Sequence, residues 1–210
     1  MNRRTVAAAL VSLAVLTSCG EAIPLVGGSD EPREFVGYRR DPAPNLAELS
    51  LPDVSDGGDE FALRADPGEL LVVYFGYTNC PDFCPTTLSD VRLALRSMEP
   101  DDAEQIDVAM ITVDPERDLP VLADYVGGFF DDGHALGSDD PSALARVAAP
   151  FGVQYEVATN DDGEVEVAHT TQLYALDDEG DLAMTWQFGV TKDDLAADFE
   201  QLLDEQAAAA

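Results

Sequence analysis

The sequence predicts an α/β fold, a central mixed β-sheet flanked by helices, on three observations. Continuous apolar runs of strand length, at 70–76 and 106–113, alternate with segments of helical periodicity. The last third of the chain holds two more strands joined by a polar turn, and a helix follows them. Hydrophobic residues make up 46% of the chain and aromatic residues 8%, enough for a core and unlike a disordered or fibrous protein.

Each element has its own signal. Residues 46–63 read as a short strand pair at the front of the domain. Leu-Leu-Val-Val-Tyr-Phe-Gly at 70–76 is short and apolar throughout, as suits a strand buried on both faces. A polar turn carrying Cys80 and Cys84 follows. Residues 86–98 then place Leu88, Val91, Leu95 and Met98 at helical spacing. The 106–113 run is the next buried strand. Residues 119–130 and 142–151 read as helices, the second announced by Asp140-Pro141. Strands at 170–176 and 182–188 flank Asp177-Asp178-Glu179-Gly180, a hairpin turn. A helix over 191–206 has Thr191 as its N-cap. Strand, helix, strand, helices, hairpin, helix is the order of a thioredoxin-like fold.

Charge narrows the possible partners. Eleven basic residues against 42 acidic ones give a net charge of -31. Such a chain repels phosphate backbones and gains nothing from counterion release, which excludes nucleic-acid binding. The acidity reads first as solvation of the surface and second as a docking face for a basic partner.

The start of the chain reads as an export signal over residues 1–18. Arg3-Arg4 precedes an apolar run of about eleven residues, Val6 to Leu16, too short for the ~20 that span a bilayer. The paired arginines fit twin-arginine export, but Val6 and Ala7 match that motif poorly, so the route stays open. Leu16-Thr17-Ser18-Cys19 resembles the lipobox of bacterial-type lipoproteins, in which the cysteine is lipidated and becomes the mature N-terminus. The expected location is therefore the extracytoplasmic face of the cell membrane, tethered through Cys19. Residues 19–45, rich in Gly, Pro, Ser and charge, read as a spacer, and the domain is expected over 46–207.

With Cys19 assigned to lipid, Cys80 and Cys84 are the two sulfurs left for chemistry. They stand where a buried strand gives way to a helix, a spacing that can close a disulfide or bring two thiolates to one metal. A helix N-terminus favours negative charge and is expected to lower at least one thiol pKa, and Pro81 suits a first turn. In a thioredoxin plan, the loop entering the terminal hairpin lies against the start of the cysteine helix. This puts His169 in reach of both sulfurs, although it lies 85 positions after Cys84. His134 reads as an ordinary loop residue. Two thiolates and one imidazole form a soft set that selects copper, with zinc as the rival. A structural zinc site needs four closed ligands, and no fourth Cys or His is placed to supply one.

These residues resemble the Sco/SenC family of copper-binding, thioredoxin-like proteins. Gly-Tyr-Thr-Asn-Cys-Pro-Asp-Phe-Cys-Pro-Thr-Thr-Leu at 76–88 is similar to the family's most specific signature, and Asp114-Pro115-Glu116-Arg117-Asp118 to its second. His169 matches the family's metal-binding histidine. The resemblance implies delivery of copper, Cu(I) or Cu(II), to the dinuclear copper centre of cytochrome c oxidase, with reduction of the acceptor's cysteines as a further role. It implies Cys80, Cys84 and His169 as metal ligands, Cys80 and Cys84 as the redox pair, and Asp114, Asn79 and Asp82 as residues lining the site. The implied partners are the copper-accepting oxidase subunit and a thiol reductant or upstream copper donor. Asn79 stands where many relatives carry another residue, often His, and the acidity is not a family trait. The rival reading is a thiol–disulfide reductase, for which His169 is expendable. A peroxidase would carry Thr or Ser at position 77, where this chain has Tyr.

Overall fold

Among the described residues, 33–209 of the computed structural model, seven strands make one sheet. β1 (Ser50–Asp53) and β2 (Asp59–Ala62) are the expected front pair, and β3 (Leu70–Gly76) and β4 (Ile106–Thr112) are the two apolar runs. β5 (His134–Leu136) follows. β6 (Tyr155–Thr159) and β7 (Val165–His169) form a separate two-stranded ribbon. β8 (Leu173–Leu176) and β9 (Leu182–Trp186) complete the sheet. The order is β2-β1-β5-β4-β3-β8-β9. β3, β4 and β5 run parallel, and the remaining pairs are antiparallel. The mixed sheet and thioredoxin-like plan are as the sequence predicts.

The two-residue period of β3 divides the core into two layers. Leu70, Val72 and Tyr74 face α1 (Phe83–Leu95), α4 (Leu122–Gly127) and α6 (Lys192–Ala209). Leu71, Val73 and Phe75 face α5 (Pro141–Phe151) and the residues around β1. Every residue of β3 is buried, which explains why its sequence shows no polar alternation. The remaining helices, α2 (Pro100–Ala103) and α3 (Pro115–Asp118), are single turns.

Several boundaries differ from the sequence reading for identifiable reasons. α1 starts at Phe83, one turn early, because Pro85 is tolerated within a first turn. Pro81 therefore lies outside the helix. The helix expected over 119–130 is shorter, α4 alone, and the separate turn α3 precedes it on the other side of Pro120, which has no N–H to continue a helical ladder. The polar stretch 160–164, where the sequence shows no strand signal, is the tip of the β6–β7 ribbon. Its side chains are exposed, so the strands lack the apolar pattern that would reveal them. His134 is a strand residue, not a loop residue. Its Nδ1 lies 2.7 Å from the buried Asp53 carboxylate and its ring packs on Phe61. The start signals at Asp140 and Thr191 hold: each side chain accepts from a backbone N–H two or three residues on.

The spacer expectation needs correction at its end. The compact unit begins at Glu34 rather than at 46. Tyr38 pairs with Thr185 on the edge of β9, Asn45 pairs with Asp181, and the Arg40 guanidinium donates to the Pro150 and Phe151 carbonyls. These contacts use backbone and polar groups, so hydrophobic periodicity does not report them. Export signal and Cys19 lie outside the described residues.

Asp198, on α6 and fully buried, accepts from Trp186 Nε1 at 2.7 Å and from the Val36 and Gly37 amides. One carboxylate thus ties the 34–45 segment, β9 and α6 together. Asp198→Ala leaves these donors without their acceptor and is expected to lower the unfolding free energy by about 2–4 kcal/mol. Urea denaturation of parent and variant measures this directly.

Candidate metal centre

The site is built at the C-terminal end of β3, where the chain leaves the sheet and turns into α1. The β3 alternation puts Tyr74 on the α1 face, with its hydroxyl 3.6 Å from Cys84 Sγ. Two residues on, the same face requires a glycine. A β-carbon at Gly76 would lie 2.8 Å from the Tyr74 ring and 3.0 Å from Cys84 Sγ, inside normal contact. Glycine here lets the first turn of α1 settle onto the strand end.

Cys80 precedes α1, and Cys84 is its second residue. The Cys84 amide lies 3.3 Å from Cys80 Sγ, so one sulfur accepts at the open helix N-terminus. Cys84 is fully buried and Cys80 nearly so, both as free thiols. His169, the last residue of β7, points its Nε2 at Cys84 Sγ from 3.7 Å. The Cys80, Cys84 and His169 donor atoms all lie within 4.8 Å of one another, and among the described residues theirs is the one such group of three metal-ligating side chains.

The donors fit a single soft ion. With metal–sulfur and metal–nitrogen bonds of about 2.3 and 2.0 Å, a tetrahedral or trigonal angle separates S from N by roughly 3.5–3.7 Å. The observed 3.7 Å falls in that range. His169 Nδ1 lies 2.8 Å from the Thr170 carbonyl, which can only accept, so Nδ1 carries the proton. Nε2 is left with its lone pair toward the sulfurs, the tautomer a metal needs. Tyr74 and Tyr77 both meet the imidazole edge-on and limit its rotation.

Burial sets the protonation of the apo site. It pushes the Cys84 thiol up to about 12, with the Cys80 sulfur adding to the rise, and weaker contributions from the Tyr77 backbone and the Tyr74 hydroxyl oppose it. The lowering that the sequence reading expects from a helix N-terminus is thus overturned at Cys84, where loss of water outweighs the helix field. Burial likewise pushes His169 below its ordinary value of 6.5, partly offset by the Thr170 carbonyl. The Tyr74 hydroxyl is raised as well, by burial and then by the Cys84 sulfur.

The remaining residues named from sequence occupy the surroundings. Asn79 and Asp82 are exposed beside the cysteines, and Asp82 makes no capping hydrogen bond to α1. Asp114 is buried and paired with Arg117, outside the group of donor atoms. Asp118, which the sequence reading names only as the last residue of the second signature, does more for the geometry. Fully buried, it accepts from the Thr78 amide at 3.0 Å and from the Thr78 and Thr112 hydroxyls at 2.6 Å each. This fixes the loop that delivers Cys80 to the end of β4. The available signal is an acid one turn beyond a buried strand end, a position with no solvent to satisfy it.

A thioredoxin-like sheet carrying two buried thiols and one imidazole in a single coordination sphere defines the class: a thioredoxin-like protein with a soft-metal site. The chain belongs to the SCO1/SenC family, whose sequence model matches residues 54–204. It is 32% identical over 130 residues to an SCO2-like protein of Rickettsia prowazekii, covering 60% of this chain and 62% of that protein. The solution structure of apo Sco1 from Thermus thermophilus aligns with a TM-score of 0.64 and 28% identity, over 84% of this chain and 98% of that one. The structure of Bradyrhizobium japonicum ScoI with copper bound aligns with a TM-score of 0.62 and 29% identity, over 73% and 96%.

Two predictions follow from this geometry. A thiol raised from 9.0 to about 12 contributes stability that is complete below pH 9 and lost as pH climbs through 12. Between pH 8 and 10.5, urea unfolding of the reduced apo protein is therefore expected to lose more stability than that of Cys84→Ala, by about 2 kcal/mol. Asp118→Ala is expected to cost about 2–4 kcal/mol in stability and to weaken metal binding by freeing the Cys80 loop. Asp118→Asn, which keeps one acceptor oxygen, falls between it and the parent in both urea unfolding and chelator competition.

Proposed function

We propose that the protein is an exported, lipid-anchored copper carrier that helps assemble the dinuclear copper centre of cytochrome c oxidase. The observation that carries this reading is the convergence of Cys80 Sγ, Cys84 Sγ and His169 Nε2 on one point, with the imidazole already in its ligating tautomer. The copper bound in the similar Bradyrhizobium japonicum protein supports the choice of metal. Softness supports it too: two sulfurs and one nitrogen suit copper better than a hard cation. Copper is cargo here. Its arrival displaces a proton from Cys84, and its departure requires an acceptor's ligand at the mouth of the site.

Membrane attachment rests on the Cys19 lipobox resemblance. No described helix is long and apolar enough to cross a membrane. The copper-accepting subunit of the oxidase is the proposed recipient, with a thiol reductant or upstream copper donor keeping Cys80 and Cys84 reduced and loaded. The pair of free thiols also suits a thiol–disulfide reductase, and the same experiment separates the two readings.

Anaerobic Cu(I) titration of the reduced chain carrying Cys19→Ser, against a competing chelator, is expected to give one tight equivalent. His169→Ala should weaken it at least tenfold, and Cys84→Ser should weaken it further. Because the ion competes with the Cys84 proton, affinity should fall from pH 7 to pH 5. Equal affinity in parent and His169→Ala, with thiol–disulfide activity retained by both, would assign the site to the reductase.

A further inference from the structure

The apolar surface around the metal centre is uncovered. Phe83, next to Cys84, is 47% exposed, and Phe188, in the turn after β9, is 42% exposed. The two rings stack edge to face at 4.8 Å. Aromatic rings elsewhere, including Phe75, Phe151, Phe199 and Trp186, are fully buried. The β6–β7 ribbon, which brings His169 to Cys84, is a second element at the site. Its register pairs Tyr155 with His169, Val157 with Val167 and Thr159 with Val165. Alternation therefore puts these six on one face, shared with the ligand histidine. Tyr155 and Val167 pack on the domain, but Val157, beside Val167, and Val165, one rung further along, are 43% and 38% exposed. Apolar groups thus flank the site from two separate elements.

Acids adjoin them: exposed Asp82 precedes Phe83, exposed Glu164 precedes Val165, and exposed Glu156 and Glu166 stand on the other face of the same ribbon, in a chain of net charge -31. Exposed apolar groups beside charge are the make-up of a protein interface, and the charges next to these groups in the chain are acidic.

The buried ligands add the functional argument. Cys84 is fully buried and Cys80 is 7% exposed, so an ion leaves only when an acceptor's ligand is pressed against the mouth. We infer that Phe83 and Phe188, together with Val157 and Val165, form the docking surface for a protein partner whose face is apolar at its centre and rimmed by Lys and Arg. An anionic lipid surface would be repelled by the same acids. The inference rests on the copper-carrier reading, because it takes the partner to be the protein that accepts the ion.

The probe is the soluble copper-accepting domain of the same organism's cytochrome c oxidase. Its binding to the Cu(I)-loaded full chain carrying Cys19→Ser is measured by titration calorimetry. Phe83→Ser/Phe188→Ser and Val157→Ser/Val165→Ser are compared with the parent, and each variant's Cu(I) affinity is measured by chelator competition. The expected result is Cu(I) affinity within about twofold of the parent, complex affinity at least tenfold weaker, and parental binding that weakens as salt rises. Unchanged complex affinity in both variants overturns the docking surface and leaves copper delivery standing. A parent dimer dissolved by the same substitutions assigns the patch to a second copy and also overturns it. A parent that binds no Cu(I) removes the carrier reading, and the docking proposal falls with it.

Discussion

The close seating of the first turn of α1 on the end of β3 is the contact on which the site depends. A parallel pair, β3 and β4, fixes the height of that strand end, and the absence of a side chain at Gly76 lets Cys84 come down onto Tyr74. Any side chain at position 76 would meet a ring, a sulfur and the Met110 side chain at once. The location obeys a general rule of α/β sheets, in which ligands bind beyond the carboxyl ends of parallel strands. From this seat one sulfur is set by packing and the other by a loop held on Asp118. The imidazole arrives on a ribbon that pairs with no strand of the main sheet.

That division of labour has an electrostatic consequence. Without the ion, Cys84 is held as a neutral thiol by burial and His169 as a neutral imidazole, so neither adds charge to the core. A cation that binds there displaces the Cys84 proton, which offsets part of the charge it brings. The acidity of the chain stays on the surface. It bears on the approach of partners rather than on the coordination chemistry.

The central strands, the closing hairpin and the last helix were legible in the sequence because burial on both faces, turn chemistry and capping leave local signals. So was the site's composition: two cysteines at a strand-to-helix boundary and one histidine ahead of the hairpin. The β6–β7 ribbon and the 34–45 segment were not. The ribbon is mostly exposed and so carries no clear period, and the segment is held by backbone pairing and by Asp198, which lies more than 160 residues away. His134 was misplaced for a related reason, since its partner Asp53 is remote in sequence and shows no motif with it.

By itself, the sequence determined the class of fold, the strong acidity and the identity of the three soft donors, because these follow from residue type and short-range pattern. Only the tertiary structure decided which nitrogen of His169 faces the sulfurs, how close Cys84 lies to it, and that burial outweighs the helix field at that thiol. It also decided that Asp118, and not Asp114, holds the Cys80 loop. Those outcomes depend on which groups from distant parts of the chain exclude water around one another, a property that local sequence does not encode.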